Sequence, residues 1–329
     1  MTADDKLRNY NIFTIDIGLF RPRAVAVYLI IQKGEVTIID TGAPDSASII
    51  TTELSRHGVK SEQVKNIVIT HLHLDHAGGA SQLLLAYPQA RLYCHPLARR
   101  HLANPERLIR GTRQVYGERR YEKYFSGVEA ISSDRIITVS DNERLELNGR
   151  QLLFLHTPGH APHHVCIYDT LSRGLFCGDA VGVIYDEFRL HTDSLVFPAT
   201  TPPEFDLEAS CQTVEKVVNL HPALLFLSHY GVIDQVPQYL KRLTDELGHV
   251  SKLEKAAGEG NLSLPELIAV CVERMTTAFI AELEKSMIDL SPEQKKIVEA
   301  DLHTSAVGIA MYIERRRRKK ERKNLSSEN

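Results

Sequence analysis

Thr70-His71-Leu72-His73-Leu74-Asp75-His76-Ala77-Gly78-Gly79 is the stretch whose reading decides the fold. His71, His73, Asp75 and His76 are all capable metal ligands. Ahead of them, Asn66-Ile67-Val68-Ile69-Thr70 is an apolar, β-branched run of the kind found in buried strands. Behind them, two glycines lead into Ser81–Tyr87, which reads as a helix. The cluster therefore lies on a strand-to-helix turn, where ligand sites in α/β proteins usually sit. His71 and His73 are two apart, so in extended backbone both imidazoles point to one side. Asp75 and His76 follow as the chain turns, and aim at a second point nearby. Imidazole and carboxylate together suit zinc, iron or manganese. Side chains this polar need partners if they are buried. The spacing is not the helical H-E-x-x-H of zincins.

The chain has 329 residues, 43% hydrophobic and 25% charged, enough for one large domain or one plus an appendage. A net charge of −3 selects no partner class. Cys94, Cys166, Cys177, Cys211 and Cys271 are dispersed without a C-x-x-C pair, which favours reduced thiols and a cytoplasmic location. The N-terminal residues do not read as a signal peptide. The longest apolar run, Ala24–Ile31, is too short to span a membrane.

Outward from the cluster, Ala24–Ile31 and Val36–Asp40 read as a hairpin, and Ser46–Gly58 as a helix. Ala90–His95 reads as a strand. Residues 97–127, rich in arginine and tyrosine, read as a helical insertion. Its arginines suit a solvated face, and its position suits the shaping of substrate access. Arg144–Leu155 reads as a hairpin on Asn148-Gly149. Residues 182–203 read as a loop over the site, Pro203–Leu220 as a helix, and His221–Gly231 as the last strand. From Val236 the pattern is helical, and the final helix is expected over Pro292 to about Glu314. The basic run Arg315–Lys323 then reads as a solvated, frayed terminus. With no interleaved aromatics, nucleic-acid binding is not expected of it. The expected division is a catalytic domain over residues 1–250 and a helical C-terminal region over 251–329.

His71, His73, Asp75, His76, His160, Asp179 and His229 all stand at or just after apolar strand-like runs, as does Asp40. If these strands lie together, their ends converge on seven ligands, enough for two metals. His71, His73 and His160 would form one site, and Asp75, His76 and His229 the other. Asp179, with two carboxylate oxygens, can bridge them.

The order H-x-H-x-D-H, then Thr157-Pro158-Gly159-His160, Gly178-Asp179 and Ser228-His229, resembles the metallo-β-lactamase fold superfamily from about residue 12 to 235. The resemblance implies an α/β fold, a four-layer αββα sandwich, here with a helical C-terminal extension. It implies the same metal assignment, and a role for Asp40 in orienting a ligand from behind. Asp179 stands where many β-lactamases carry cysteine, which disfavours a lactamase. His73 stands where flavodiiron proteins carry glutamate. The full set is similar to glyoxalase II thioesterases, acyl-homoserine lactonases and RNase Z-type phosphodiesterases, although no RNase Z basic exosite is evident.

The expected function is a dinuclear hydrolase that uses a metal-bridging hydroxide on an ester, lactone or thioester. Asp75 would both ligate and orient the hydroxide. Two divalent ions are expected, zinc ahead of iron or manganese. The rival expectation is a non-haem di-iron protein that binds or reduces oxygen. Of His163 and His164, His164 is assigned to orienting a ligand. Tyr230 and Tyr185 are candidates for donating a hydrogen bond to substrate, against a competing role in packing. His191 is left undecided. A small-molecule substrate is expected, no membrane, and homo-oligomerisation is left open.

Overall fold

The computed structural model describes residues 7–185, 195–258, 262–285 and 288–327. One six-stranded sheet has the order β1 (Ile12–Asp16), β2 (Ala26–Gln32), β3 (Glu35–Ile39), β4 (Val64–Val68), β5 (Arg91–Cys94) and β6 (Ile136–Thr138). The first three strands are antiparallel, and β3 to β6 are parallel. Parallel neighbours require crossovers. These are α1 (Ser46–Arg56), then α2 (Leu74–Ala77) and α3 (Ala80–Ala86), then α4 (Arg99–Ala103), α5 (Glu106–Tyr116) and α6 (Glu118–Tyr124). The last three are the expected helical insertion.

The second six-stranded sheet contains β7 (Arg144–Leu147), β8 (Arg150–His156), β9 (Val165–Asp169), β10 (Gly174–Gly178), β13 (Leu224–Leu227) and β14 (Gly231–Ile233). Its spatial order is β14-β13-β10-β9-β8-β7. The pair β11 (Val183–Ile184) and β12 (Val196–Phe197) stands apart. Helices α7 (Leu207–Leu220), α8 (Val236–Gly258), α9 (Leu264–Lys285) and α10 (Pro292–Ser327) complete the chain.

Side-chain alternation explains the layering. Tyr28, Ile30 and Ile39 of the first sheet meet Phe154, Ile167, Phe176 and Phe226 of the second in one buried core. Their neighbours Val27, Leu29 and Ile38 pack outward against α1, α3 and the insertion. Leu175, Cys177, Leu225 and Leu227 pack outward beneath α7 to α10. With both faces covered, the strands are written as continuous apolar runs. This is the four-layer αββα sandwich with a helical C-terminal region. A buried ion pair fastens the start of β8 to the end of β9. Arg150 donates to both Asp169 oxygens at 2.8 and 2.6 Å, and to the Tyr10 carbonyl at 2.6 Å.

The structure departs from the sequence reading in several places. Ile12–Asp16 forms β1, a strand the reading missed because two of its five positions are polar. The loop over 182–203 contains β11 and β12, and His191 lies outside the described residues. Helix α7 starts at Leu207, not Pro203. Asp206 accepts from the Ala209 amide and caps it, the stronger start signal. The last strand is two, β13 and β14.

Helix α10 does not fray at Glu314 but continues to Ser327. Arg315 donates to the carbonyls of Pro203 and Phe205, and Arg317 to those of Ala257, Gly258 and Leu262. Part of the basic run is thus used to dock the helix. Helix α8 crosses residues 250 and 251 without a break, and its apolar face shares one core with the second sheet, α9 and α10. Among the described residues no helix is long and apolar enough to cross a membrane.

Candidate metal centre

Strand β4 ends at Val68, so the cluster lies in the loop and short helix that follow. There the ring nitrogens converge. His71 Nε2 lies 3.0 Å from His73 Nδ1, which lies 2.9 Å from His160 Nε2. His76 Nε2 lies 3.2 Å from His229 Nε2. Nitrogens bound to one cation at about 2.0–2.1 Å stand roughly 3.0–3.4 Å apart, so these separations fit shared cations. Three groups have ligand atoms all within 4.8 Å of one another: His71/His73/His160, His71/His76/Asp179 and Asp75/His76/His229.

Asp179 links the groups. Its Oδ1 lies 3.4 Å from His76 Nε2 and 3.6 Å from His229 Nε2. Its Oδ2 lies 3.6 Å from His160 Nε2. Oδ1 is buried without a hydrogen-bond partner. An orphaned carboxylate oxygen in a protein interior is costly. A cation between the two groups would satisfy it, and the all-nitrogen-and-oxygen donor set suits zinc, iron or manganese. The residues present therefore fit two divalent ions. Asp75 Oδ2 lies 3.5 Å from His229 Nε2 and 3.7 Å from His76 Nε2, which places it in the second group.

Each imidazole is aimed by a partner on its other nitrogen, or by its neighbours. His160 Nδ1 donates to the Ala199 carbonyl and His229 Nδ1 to that of Ala24, both at 2.9 Å. His76 Nδ1 donates to Asp40 Oδ2 at 2.9 Å. Asp40 also accepts from the Thr70 amide at 2.7 Å, the Thr70 hydroxyl at 3.0 Å and the Ser228 hydroxyl at 2.9 Å. The Thr70 hydrogen is committed to Asp40, so His71 Nδ1 donates to that hydroxyl, at 3.1 Å. These contacts fix the tautomers and leave Nε2 of His71, His76, His160 and His229 facing inward, while His73 presents Nδ1. His164 stands behind Asp179, whose backbone amide donates to His164 Nε2 at 3.2 Å. At Gly178, with φ of +49°, a Cβ would come within 2.5 Å of His164 Nε2 and 2.7 Å of Thr70 Oγ1. Glycine is required there for Asp179 to reach the centre.

Burial and mutual repulsion push the His71 and His73 imidazoles well below their usual range. Burial also lowers His160. Burial opposes charge on His76 too, but Asp179, Asp75 and Asp40 raise it to about 10. His229 is raised, against its burial, by Asp179 and Asp75. Asp75 is held well below the usual carboxylate range: burial opposes this, and His76 and His229 prevail.

The two tyrosines named from sequence lie in packed surroundings. The Tyr185 hydroxyl donates to Asp301 Oδ2 at 2.6 Å, and its ring packs edge-on to Phe197. The Tyr230 ring joins the inter-sheet core, with the Arg23 guanidinium 4.7 Å from its centroid. The expectation of a substrate-facing hydroxyl at Tyr185 thus meets a hydroxyl already committed to Asp301. A different tyrosine lies within electrostatic reach of the centre's carboxylates. Tyr116, the last residue of α5, has its hydroxyl pushed well above the usual range by burial and by Asp75, Asp301 and Asp179. Its ring stacks on Phe20 at 6.2 Å and packs on Phe125 at 5.1 Å. Sequence reading missed Tyr116, which lies in an insertion without a local motif. It also missed Thr70 and Ser228, although each adjoins a named histidine.

Comparison with known proteins agrees with this fold. The profile of the metallo-beta-lactamase superfamily matches residues 20–229. The chain is 26% identical over 228 residues to the metallo-beta-lactamase fold-containing protein ST1585 of Sulfurisphaera tokodaii, covering 68% of this chain and 79% of that one. The crystal structure of ST1585 superposes with a TM-score of 0.65 at 21% identity, covering 91% of this chain and 98% of that one. A hydroxyacylglutathione hydrolase of Francisella tularensis subsp. novicida is 27% identical over 154 residues, which cover 47% of this chain and 46% of that one. The chemotaxis sensor ODP, solved as a peroxy diiron species, shares the fold with a TM-score of 0.52 at 19% identity, covering 71% of this chain and 90% of that one. On the residues matched and the architecture observed, the chain belongs to the metallo-beta-lactamase superfamily.

Proposed function

We propose that the protein is a dinuclear metal-dependent hydrolase acting on an ester, lactone or thioester. The observation that carries this reading is Asp179, which turns one oxygen to each ligand group and leaves Oδ1 buried without a hydrogen-bond partner. His71, His73 and His160 would hold one ion, Asp75, His76 and His229 the other, and Asp179 both. When bound, two such ions acidify water towards a pKa of about 7 and polarise an acyl oxygen.

The chain's own groups divide the remaining work. The Asp75 carboxylate, kept ionised by His76 and His229, orients the attacking water by accepting its hydrogen bond. Tyr116, kept protonated by burial and by the charges of Asp75 and Asp179, is our candidate donor to oxygen that gains negative charge. The preference for a carbonyl electrophile is supported by the partial likeness to a hydroxyacylglutathione hydrolase.

Metal analysis of purified protein, paired with thioester, lactone and phosphodiester substrates, tests the proposal. The expected result is two ions per chain and metal-dependent turnover of a thioester, ester or lactone. A second reading, a di-iron protein that handles oxygen, is favoured by a donor set that admits iron equally well. A di-iron preparation with oxygen-dependent absorbance and no hydrolysis would replace the first reading with the second.

A further inference from the structure

The His71/His73/His160 group is supported from outside by residues 199–205. His160 Nδ1 donates to the Ala199 carbonyl at 2.9 Å. In the same segment, Glu204 Oε2 accepts from His163 Nε2 at 3.1 Å. His163 Nδ1 in turn accepts from the Leu72 amide at 3.3 Å. Leu72 is the residue between His71 and His73. With Nδ1 accepting, Nε2 must carry the hydrogen, so the Glu204 carboxylate fixes the tautomer that the Leu72 amide needs. His163 holds the Glu204 carboxyl below its usual range through the same hydrogen bond.

The supporting segment is itself gripped by α10. Thr200 Oγ1 donates to the Ser305 carbonyl at 3.1 Å. The Thr200 carbonyl lies so close over Gly308 that a Cβ there would stand 1.6 Å from its oxygen. The Arg315 guanidinium donates to the Pro203 and Phe205 carbonyls, one on each side of Glu204. Phe205 packs against Tyr312 of the same helix, ring centroids 5.8 Å apart. An unbroken series of contacts therefore runs from Arg315, through Glu204 and His163, to the peptide that separates two ligands. Arg315 lies far beyond the region matched by the superfamily profile, residues 20–229.

We infer that Arg315 and Glu204 are positioning residues for the His71/His73/His160 site, acting through His163 on the backbone between the two histidines. The inference rests on the dinuclear reading of the centre. Helix α10 is then part of the apparatus that shapes one metal site and not the other. Groups that orient ligands in this way typically contribute about 10–100-fold to metal affinity.

The test is titration of metal-free, full-length protein with zinc against a chromophoric chelator. Wild-type protein binds two ions. Glu204→Ala weakens one of them by about 10–100-fold and leaves the other within about threefold. Glu204→Gln, whose amide oxygen can still accept from His163, restores most of the loss. Arg315→Ala shifts the same ion in the same direction. Glu204 is half-exposed, so Glu204→Ala keeps the comparison open if Arg315→Ala fails to fold, and thermal melting of the metal-free forms checks this. Two ions bound by Glu204→Ala as tightly as by wild type, or both weakened equally, would overturn the inference. Wild-type protein that takes up no zinc or other divalent ion would instead remove the dinuclear reading on which it stands.

Discussion

Asp40 is where one side chain decides whether three chain segments and a ligand meet. It follows directly on β3, carries a φ of +62°, and accepts from Thr70, Ser228 and His76. Asp40→Ala removes the acceptor and leaves those buried donors unpaired. The expected cost is about 2–4 kcal/mol in denaturant unfolding. Affinity for the ion held by Asp75, His76 and His229 should fall by about 10–100-fold. Wild-type stability and affinity in this variant would remove Asp40 from the account. Gly178→Ala probes the same centre by shape. Its Cβ would collide with His164 and Thr70 at a positive φ, so the variant should lose roughly 2–3 kcal/mol and bind metal poorly. At this scale the ligands were legible because each carries chemistry at a strand end. Thr70, Ser228 and Glu204 were not, because a hydroxyl or carboxylate acting through a neighbour has no pattern of its own in a linear sequence.

Elements were legible where a local rule fixed them. The Asn148-Gly149 turn forms the hairpin its sequence demands, with both residues at positive φ. Starts and ends were harder to read. The first turn of α7 is set by Asp206, and the length of α10 by arginines that dock on other segments. The insertion could be recognised as helical, yet nothing in it announced that Tyr116 feels the carboxylates of the centre. Tyr116→Phe should keep both ions and lower kcat/KM for the turned-over substrate by about tenfold or more. Unchanged kinetics would return Tyr116 to a packing role. The ion pair that joins the start of β8 to the end of β9 makes a separate prediction. Arg150→Met leaves Asp169 charged and buried, and should cost about 3–5 kcal/mol in urea unfolding. The protein that remains folded should keep its metal content, since this pair does not belong to the ligand groups.

For the whole molecule, the two sheets bring together two ligand groups of unequal electrostatics. Burial keeps His71, His73 and His160 neutral, while three carboxylates raise His76 to about 10, and His229 is raised as well. Near neutral pH His76 of the metal-free second group is therefore positively charged, and the imidazoles of the first group are not. A cation entering the second group must displace that extra proton. Its affinity should rise with pH through neutrality, with protons released, while affinity at the first group changes little. Calorimetric titration in buffers of different ionisation enthalpy measures this, and an identical pH response for both ions would contradict it. The sandwich itself was legible through the order of its ligand motifs, which carries the superfamily resemblance, and its strands, apolar on both faces, agree with that layering. The docking of the C-terminal helices was not, because it depends on contacts between residues a hundred positions apart, such as Arg315 with Pro203. The most direct measurement is anomalous X-ray diffraction from crystals of the metal-loaded protein, collected at the absorption edge of the bound element. The account predicts two peaks roughly 3.5–4 Å apart, one beside His71, His73 and His160 and one beside Asp75, His76 and His229, with Asp179 bonded to both. A single peak, or two peaks without Asp179 between them, would contradict it.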